Sequence, residues 1–311
     1  MHRDRLSALS PEGPLALLPA MATGNYAVGD FVLHDGTRAL QRLAPGTEIA
    51  RKAAGTGTGR QLIAANVDTL GIVTSCNADF NESRLERYLA LAEAAGCLPL
   101  VVLTKADLVD DPRAWARRAE RLSPLVTALT VDARDADAAA RLAAWAGPGQ
   151  TLALTGSSGT GKTTLLNTLT GAAEATQGIR EDDAKGRHTT TQRALRRATA
   201  GGWIVDTPGM RELALAEAAE GIDTVFADLA ELEAGCRFSD CRHETEPGCA
   251  VRAALADGTI DAERLARWEK LRREDRRNSE TLAEAHERDR KFGKMVKGLM
   301  REKRDLGLKG R

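Results

Sequence analysis

The sequence predicts a multi-domain chain of three parts: an N-terminal β-barrel, a central α/β domain and a mainly helical C-terminal domain. Three observations carry that reading. Short runs of strand composition separated by turn residues fill the first 60 or so positions. From about Gln61, strands alternate with amphipathic helices around a G-x-x-x-x-G-K-T stretch. Past residue 222, a tight group of cysteine and histidine leads into charged helical sequence. The divisions are expected at 1–60, 61–222 and 223–311. A chain of 311 residues has room for them, and 42% hydrophobic content supports separate cores.

Charge and hydropathy narrow the function classes. Forty-four Lys and Arg balance forty-four Asp and Glu, so any basic surface must be local. No window approaches 18 uninterrupted apolar residues and no charged start leads into an apolar segment. Neither a membrane span nor a secretory signal is expected, and the chain is read as cytoplasmic.

In the first part, Tyr26–Leu33 has strand composition, Asp35-Gly36 offers a turn, and Ala39–Leu43 pairs back. Thr47–Lys52 is one more short strand, and Gly55–Gly59 a loop or linker. A few short strands closing on each other indicate an OB-fold-like barrel, a fold that often binds RNA. The region before Tyr26 reads as too short to complete that barrel.

In the central part, Leu70–Thr74 is a strand. Asn81 caps a helix with Leu85, Tyr88, Leu89 and Ala92 on one face, closed by Gly96. Leu98–Leu103 is a buried strand, Asp111-Pro112 opens a helix carrying Trp115, Ala119 and Leu122, and Leu125–Val131 is a third strand. A helix follows near Ala136–Ala146, then the strand Thr151–Thr155. This alternation implies a parallel sheet with helices on both faces and a ligand at the carboxyl ends of the strands.

The strand Thr151–Thr155, the loop Gly156-Ser157-Ser158-Gly159-Thr160-Gly161-Lys162-Thr163 and the helix Thr164–Leu169 give a phosphate-binding loop its required context. Backbone N–H groups close around phosphate oxygens there, and the helix N-terminus adds positive potential. Lys162 reaches the β- and γ-phosphates and Thr163 ligates Mg²⁺. The strand Trp203–Asp206 followed by Thr207-Pro208-Gly209 suits a Mg²⁺-linked Asp206 and a γ-phosphate-sensing N–H at Gly209. Between these, Lys185–Thr191 reads as a switch loop. Thr104-Lys105-Ala106-Asp107 sits where a base-reading loop belongs. A carboxylate accepts from N1–H and N2–H₂ of guanine, a pair adenine lacks, so Asp107 favours GTP. The base loop precedes the phosphate loop, which is a circular permutation of the usual GTPase order.

Cys236-x4-Cys241-x-His243-x5-Cys249 offers three thiolates and one imidazole within fourteen residues, enough for a closed, structural tetrahedral zinc site in a region with few apolar residues. Cys76 and Cys97 stand alone in apolar runs and read as buried small hydrophobes. From Lys270 to Arg311, fifteen Lys and Arg stand against eight Asp and Glu, a local basic excess suited to RNA phosphates or to a solvated helix and tail.

These residues together resemble the circularly permuted small ribosomal subunit biogenesis GTPases of the RsgA type. The resemblance runs through Ala64–Asp68, Asp79-Phe80-Asn81, Arg84–Leu89, Leu103–Leu108, the phosphate loop, Gly186–Thr190, Asp206–Gly209 and the Cys3His cluster, from about Tyr26 to Trp268. It implies an N-terminal OB-fold, a permuted GTPase centre and a zinc domain. It also implies GTP hydrolysis stimulated by the 30S subunit and its 16S rRNA during late maturation, by a monomer. Carried over by motif, Thr104, Lys105, Ala106 and Asp107 contact guanine, and Gly156, Ser157, Ser158, Gly159, Thr160, Gly161, Lys162, Thr163 and Thr164 hold the phosphates. Cys236, Cys241, His243 and Cys249 bind one zinc ion. Val131-Asp132-Ala133 stands where the family usually carries Ser-Ala in its second base loop, and Thr160 and Thr163 stand where Val and Ser are commoner. Met210 holds the position of the water-orienting Gln of Ras-like enzymes, so slow intrinsic turnover is expected, with His188 as the candidate for orienting water beside Lys162 in catalysis. One of Thr189 and Thr190 ligates Mg²⁺. The other readings are a nucleotide-gated RNA-binding switch acting on another RNA or ribosomal particle, and a convergent P-loop kinase or ATPase.

Overall fold

The computed structural model describes residues 5–52, 60–172, 194–206 and 217–279, with positions 284, 287 and 290. The N-terminal part opens with a hairpin, β1 (Leu6–Ser10) and β2 (Gly13–Pro19), in a region expected to be too short to complete a barrel. Its Ala- and Leu-rich sequence lacks the β-branched residues that announce a strand. Leu6 and Leu17 nevertheless reach a small core with Tyr26 and Ala39.

The run Tyr26–Leu33 is not one strand. Asp30 Oδ2 accepts from Ala27 N at 2.6 Å, and Gly29 has φ +91°, with Ala65 O 2.3 Å from where a Cβ would sit. That turn leaves only β3 (Val32–His34), which pairs across the Asp35-Gly36 turn with β4 (Arg38–Arg42). The sheet order is β1-β2-β4-β3. The hairpin of β5 (Glu48–Lys52) and β6 (Arg60–Ala65) is a separate two-stranded sheet, tied to the segment before β3 by a bridge from Val28 to Ala64, and the two together form the curled N-terminal sheet region. Gly55–Gly59 lies outside the described residues.

The central sheet contains β7 (Thr69–Ser75), β8 (Leu98–Thr104), β9 (Thr127–Thr130), β10 (Thr151–Gly156), β11 (Ala194–Arg197) and β12 (Trp203–Asp206). Its order is β11-β12-β10-β7-β8-β9. All neighbours run parallel except β11, an antiparallel edge strand absent from the sequence expectation. Side chains alternate between two cores: Val101 and Leu103 face one, Leu100 and Val102 the other. Both faces are covered, as parallel sheets require. On the first lie α1 (Glu82–Ala94), capped by Asn81, and α2 (Pro112–Glu120), capped by Asp111. On the second lie α3 (Asp137–Arg141), α4 (Ala143–Ala146) and α5 (Lys162–Thr170), which ends at left-handed Gly171.

The C-terminal part comprises α6 (Ala219–Val225), α7 (Ala227–Ala234), α8 (Ala250–Ala256) and α9 (262–279). Residues beyond 279, and so most of the basic tail, lie outside the described segments apart from the three positions above. The expectation of a region poor in apolar packing is corrected here. Ile222, Phe226, Leu229, Val251 and Trp268 are buried and continue the core beneath α1. At Gly221 a Cβ would sit 2.3 Å from Ala90 O, so only glycine allows α6 this close to α1. The expected divisions at 60/61 and 222/223 fall within β6 and α6. Cys76 and Cys97 are buried, and burial pushes their thiols up to about 11 and about 12, as small apolar cysteines require.

Candidate nucleotide site and metal centre

β10 ends at the carboxyl edge of the sheet between β12 and β7, and the chain must turn there into α5. Three glycines permit the turn: Gly156, Gly159 and Gly161 have φ of +136°, +77° and +85°. At Gly156 a Cβ would meet Val73 O at 2.1 Å, so the loop presses on β7. Ser158 and Gly159 are exposed at its crest, and Thr163 is exposed in the first turn of α5. The interior is hydrogen-bonded. Thr160 Oγ1 donates to Ser157 O at 2.9 Å, and Lys162 Nζ donates to that carbonyl and lies 3.4 Å from Thr160 Oγ1. The exposed crest, the helix N-terminus and the ammonium make an anion cradle.

The base loop follows β8. Lys105 adopts a left-handed conformation, φ 57°, and starts a tight turn over Ala106–Leu108 that presents Asp107. Thr104, expected at the base, is buried, and its hydroxyl donates to Thr160 O at 2.6 Å and lies 3.1 Å from Thr74 O. Its hydroxyl therefore joins the base loop to the phosphate loop. A cleft of about 230 Å³ is lined by Lys105, Asp107, Asp132, Arg134, Gly161 and Thr164. Val131-Asp132-Ala133 lies beside the base loop, and Ala106 N donates to Val131 O. Arg134, which the sequence reading missed, binds Asp107 at 2.6 Å and Asp132 at 2.9 Å. Its hydrogen bond holds the Asp132 carboxyl below the usual range.

Asp206 ends β12, next to β10, with Arg196 Nε 3.8 Å away. His188, Thr189, Thr190, Gly209 and Met210, with the Lys185–Thr191 switch, lie outside the described residues.

The structure also joins residues that local spacing did not connect. Arg84 on α1 donates to Ser157 Oγ in the phosphate loop and pairs with Asp79 at 3.0 Å. Position 84 and position 157 are 73 residues apart, so the only sequence signal was the motif around them.

In the C-terminal part, one ligand atom from each of Cys236, Cys241, His243 and Cys249 lies within 4.8 Å of the others. Metal–sulfur bonds of about 2.3 Å and metal–nitrogen bonds of about 2.0 Å at tetrahedral angles require S···S of about 3.8 Å and S···N of about 3.5 Å. Cys236 and Cys249 sulfurs are 3.8 Å apart, and His243 Nδ1 lies 3.7 and 3.4 Å from them. Those three donors sit at tetrahedral spacing, and Cys241 Sγ, within 4.8 Å of each, supplies the fourth of a set that matches a four-coordinate ion. His243 takes φ 62° to turn Nδ1 inward, and its Nε2 lies 3.4 Å from Glu233 Oε1, which fixes the tautomer. Glu233 is itself held by Arg272, and the His243 ring lies 5.7 Å from that of Trp268. Cys249 also caps α8. No helix among the described residues is long and apolar enough to cross a membrane.

A family model described as RsgA GTPase matches residues 44–216. A protein of Mesorhizobium japonicum named small ribosomal subunit biogenesis GTPase RsgA is 54% identical over 287 residues, covering 90% of this chain and 83% of its own. A Vibrio parahaemolyticus protein, small ribosomal subunit biogenesis GTPase RsgA 2, is 45% identical over 305 residues, 97% of this chain and 85% of its own. Among solved structures, YjeQ from Thermotoga maritima superposes with a TM-score of 0.63 at 24% identity, covering 87% of this chain and 94% of its own. YloQ, described as a circularly permuted GTPase, superposes with a TM-score of 0.59 at 22% identity, covering 93% of each chain.

Proposed function

This chain belongs to the RsgA GTPase family and hydrolyses GTP, and from that premise we propose that it acts on the 30S ribosomal subunit, assisting its late maturation with turnover stimulated by that particle. The observation that supports the GTP chemistry is the single cleft lined by Lys105 and Asp107 of the base loop and by Gly161 and Thr164 of the phosphate loop, with the Thr104–Thr160 hydrogen bond fastening the two loops. Two curated relatives named for small-subunit biogenesis, at 54% and 45% identity, support the ribosomal partner.

The proposed roles follow from the chemistry of each group. Asp107 accepts from guanine N1–H and N2–H₂, with Lys105 along the base and Ala106 beside it. Gly156 through Thr164 wrap the phosphates, and Lys162 neutralises charge on the transferring group. Thr163, Asp206 and one of Thr189 and Thr190 hold Mg²⁺, which when bound offsets charge on the β- and γ-phosphates. Gly209 senses the γ-phosphate and His188 orients the attacking water. Because Met210 cannot hydrogen-bond water usefully, unstimulated turnover is slow. Zinc is the proposed ion of the Cys3His cluster, with a structural role. The curled N-terminal sheet and the basic excess after Lys270 are the proposed contacts to 16S rRNA. The protein is proposed to work as a cytoplasmic monomer, divided into functional parts at 1–60, 61–222 and 223–311.

Hydrolysis of GTP and ATP by the purified protein, with and without 30S subunits, tests this reading. GTP-specific turnover that rises with 30S is expected. Turnover indifferent to 30S would remove the ribosomal partner, and a preference for ATP would remove the role of Asp107.

A further inference from the structure

Ser157 is a node in the phosphate loop. Its carbonyl accepts from Lys162 Nζ and from Thr160 Oγ1, while its hydroxyl accepts from Arg84. The guanidinium therefore holds the same residue that accepts from the loop's ammonium. Arg84 is itself fixed twice at the start of α1: Asp79 pairs with its side chain at 3.0 Å, and Asn81 Oδ1 accepts from its backbone N–H at 2.9 Å.

The same helix is fastened at its other flank to the C-terminal part. Arg87 pairs with Glu274 of α9 at 2.6 Å. Glu86, fully buried, accepts from Arg267 at 2.8 Å and lies 3.4 Å from Arg264, both on α9. Helix α9 also carries Trp268 against the His243 ring and Arg272 on Glu233, the carboxylate beside His243. Two helices thus link the metal cluster, through α9 and α1, to the phosphate loop.

We propose that Arg84 is a positioning residue for GTP turnover, setting the phosphate loop through Ser157, and that α1 makes this setting answer to the C-terminal domain through Arg87–Glu274 and Glu86. The inference rests on the hydrolase reading above. Arg84 acts through Ser157 and Lys162 and need not touch the nucleotide. A loop held slightly out of place binds GTP almost as well but aligns the transition state poorly, so the loss falls on kcat rather than on KM.

The test is a double-mutant cycle of Arg84→Ala and Glu274→Ala in the full-length metal-loaded protein, because a path between sites needs coupling evidence. Arg84→Ala is expected to lower kcat about tenfold with KM for GTP changed less than about threefold, and Arg84→Lys to restore part of it. Glu274→Ala, which breaks an ion pair whose side chains are 31% and 28% exposed, is expected to lower kcat about threefold alone and not at all in the Arg84→Ala background. Thermal unfolding of each variant separates this from general destabilisation. A kcat for Arg84→Ala within about twofold of the parent, or losses that multiply in the double variant, overturns the proposal. Release of a non-hydrolysable GTP analogue is followed through the same cycle. A parent that binds the analogue yet leaves GTP intact sinks the hydrolase reading, and the cycle in release rates then decides the coupling by the same criterion.

Discussion

The nucleotide cleft and the Cys3His cluster are assembled in opposite ways. The cleft draws Asp107, Gly161 and Arg134 from separate loops, aligned by the register of β7, β8 and β10. The cluster takes its four ligands from one short loop between α7 and α8. One site is therefore a product of the whole sheet, whereas the other draws its ligands from one loop and meets the sheet through the core beneath α1 and through α9. Damage to the first should be catalytic and specific, and damage to the second mainly structural, with only a modest effect on turnover carried through α9 and α1.

The largest effect expected on the cleft is Lys162→Ala. Removing the ammonium that donates to the Ser157 carbonyl should lower kcat/KM for GTP at least about 100-fold, with little change in melting temperature. Phosphate-release kinetics beside a thermal melt checks this. An equal collapse of both would mean that the loop is as structural as the metal cluster, and the contrast would fail.

Asp107→Asn sharpens the same side. The amide can still accept at one atom but donates at the other, which mismatches the guanine amino group and matches the carbonyl that xanthine carries at that position. GTP turnover should fall about 100-fold or more while XTP turnover rises. A variant that still prefers GTP would move base recognition elsewhere in the cleft, with Arg134 the nearest candidate, since it already binds Asp107 and Asp132.

On the other side, Cys241→Ser should strip the metal and lower the melting temperature by several degrees. Turnover measured below that transition should stay within about tenfold of the parent, because the cleft uses none of the cluster's residues. Metal analysis, a melt and a GTPase assay on one preparation decide it. Loss of activity matching that of Lys162→Ala would show the two sites to be one cooperative unit.

The same contrast explains what the sequence made legible. The phosphate loop and the cysteine spacing could be read because each is contiguous: glycines at fixed offsets and thiolates within one loop need no knowledge of the fold. The strands Leu98–Thr104 and Thr151–Gly156 were legible because a sheet buried on both faces leaves unbroken apolar runs. Contacts that depend on register were not legible. Thr104 looked like a base contact, yet its hydroxyl serves the phosphate loop. Arg84 and Ser157 meet only because β7 and β10 are neighbours. The hairpin at Leu6–Pro19 was missed because alanine and leucine carry no strand signal, and the turn at Gly29–Asp30 was missed because its hydrogen bonds lie inside a run of strand-like residues. The C-terminal core was missed because its apolar side chains are spread over four helices and bury themselves against α1.

The smallest effect expected lies at the seam between the two halves. Burial pushes the Glu86 carboxyl up, and its hydrogen bond and attraction to Arg267, with Arg264 behind, only partly oppose the shift. A carboxyl whose folded value is raised takes up its proton more readily in the folded state. Its contribution to stability is then most favourable near and below the ordinary value of 4.5 and declines as pH rises through the raised one. Relative to Glu86→Gln, which cannot titrate, the parent should lose stability as pH climbs from 4.5 through that range. Urea unfolding of both proteins at several pH values reads the difference. A parent that instead gains on the variant with rising pH would mean that the two arginines outweigh the cost of burying the charge, making the seam a source of stability and binding the halves more tightly than the local character of the metal cluster implies.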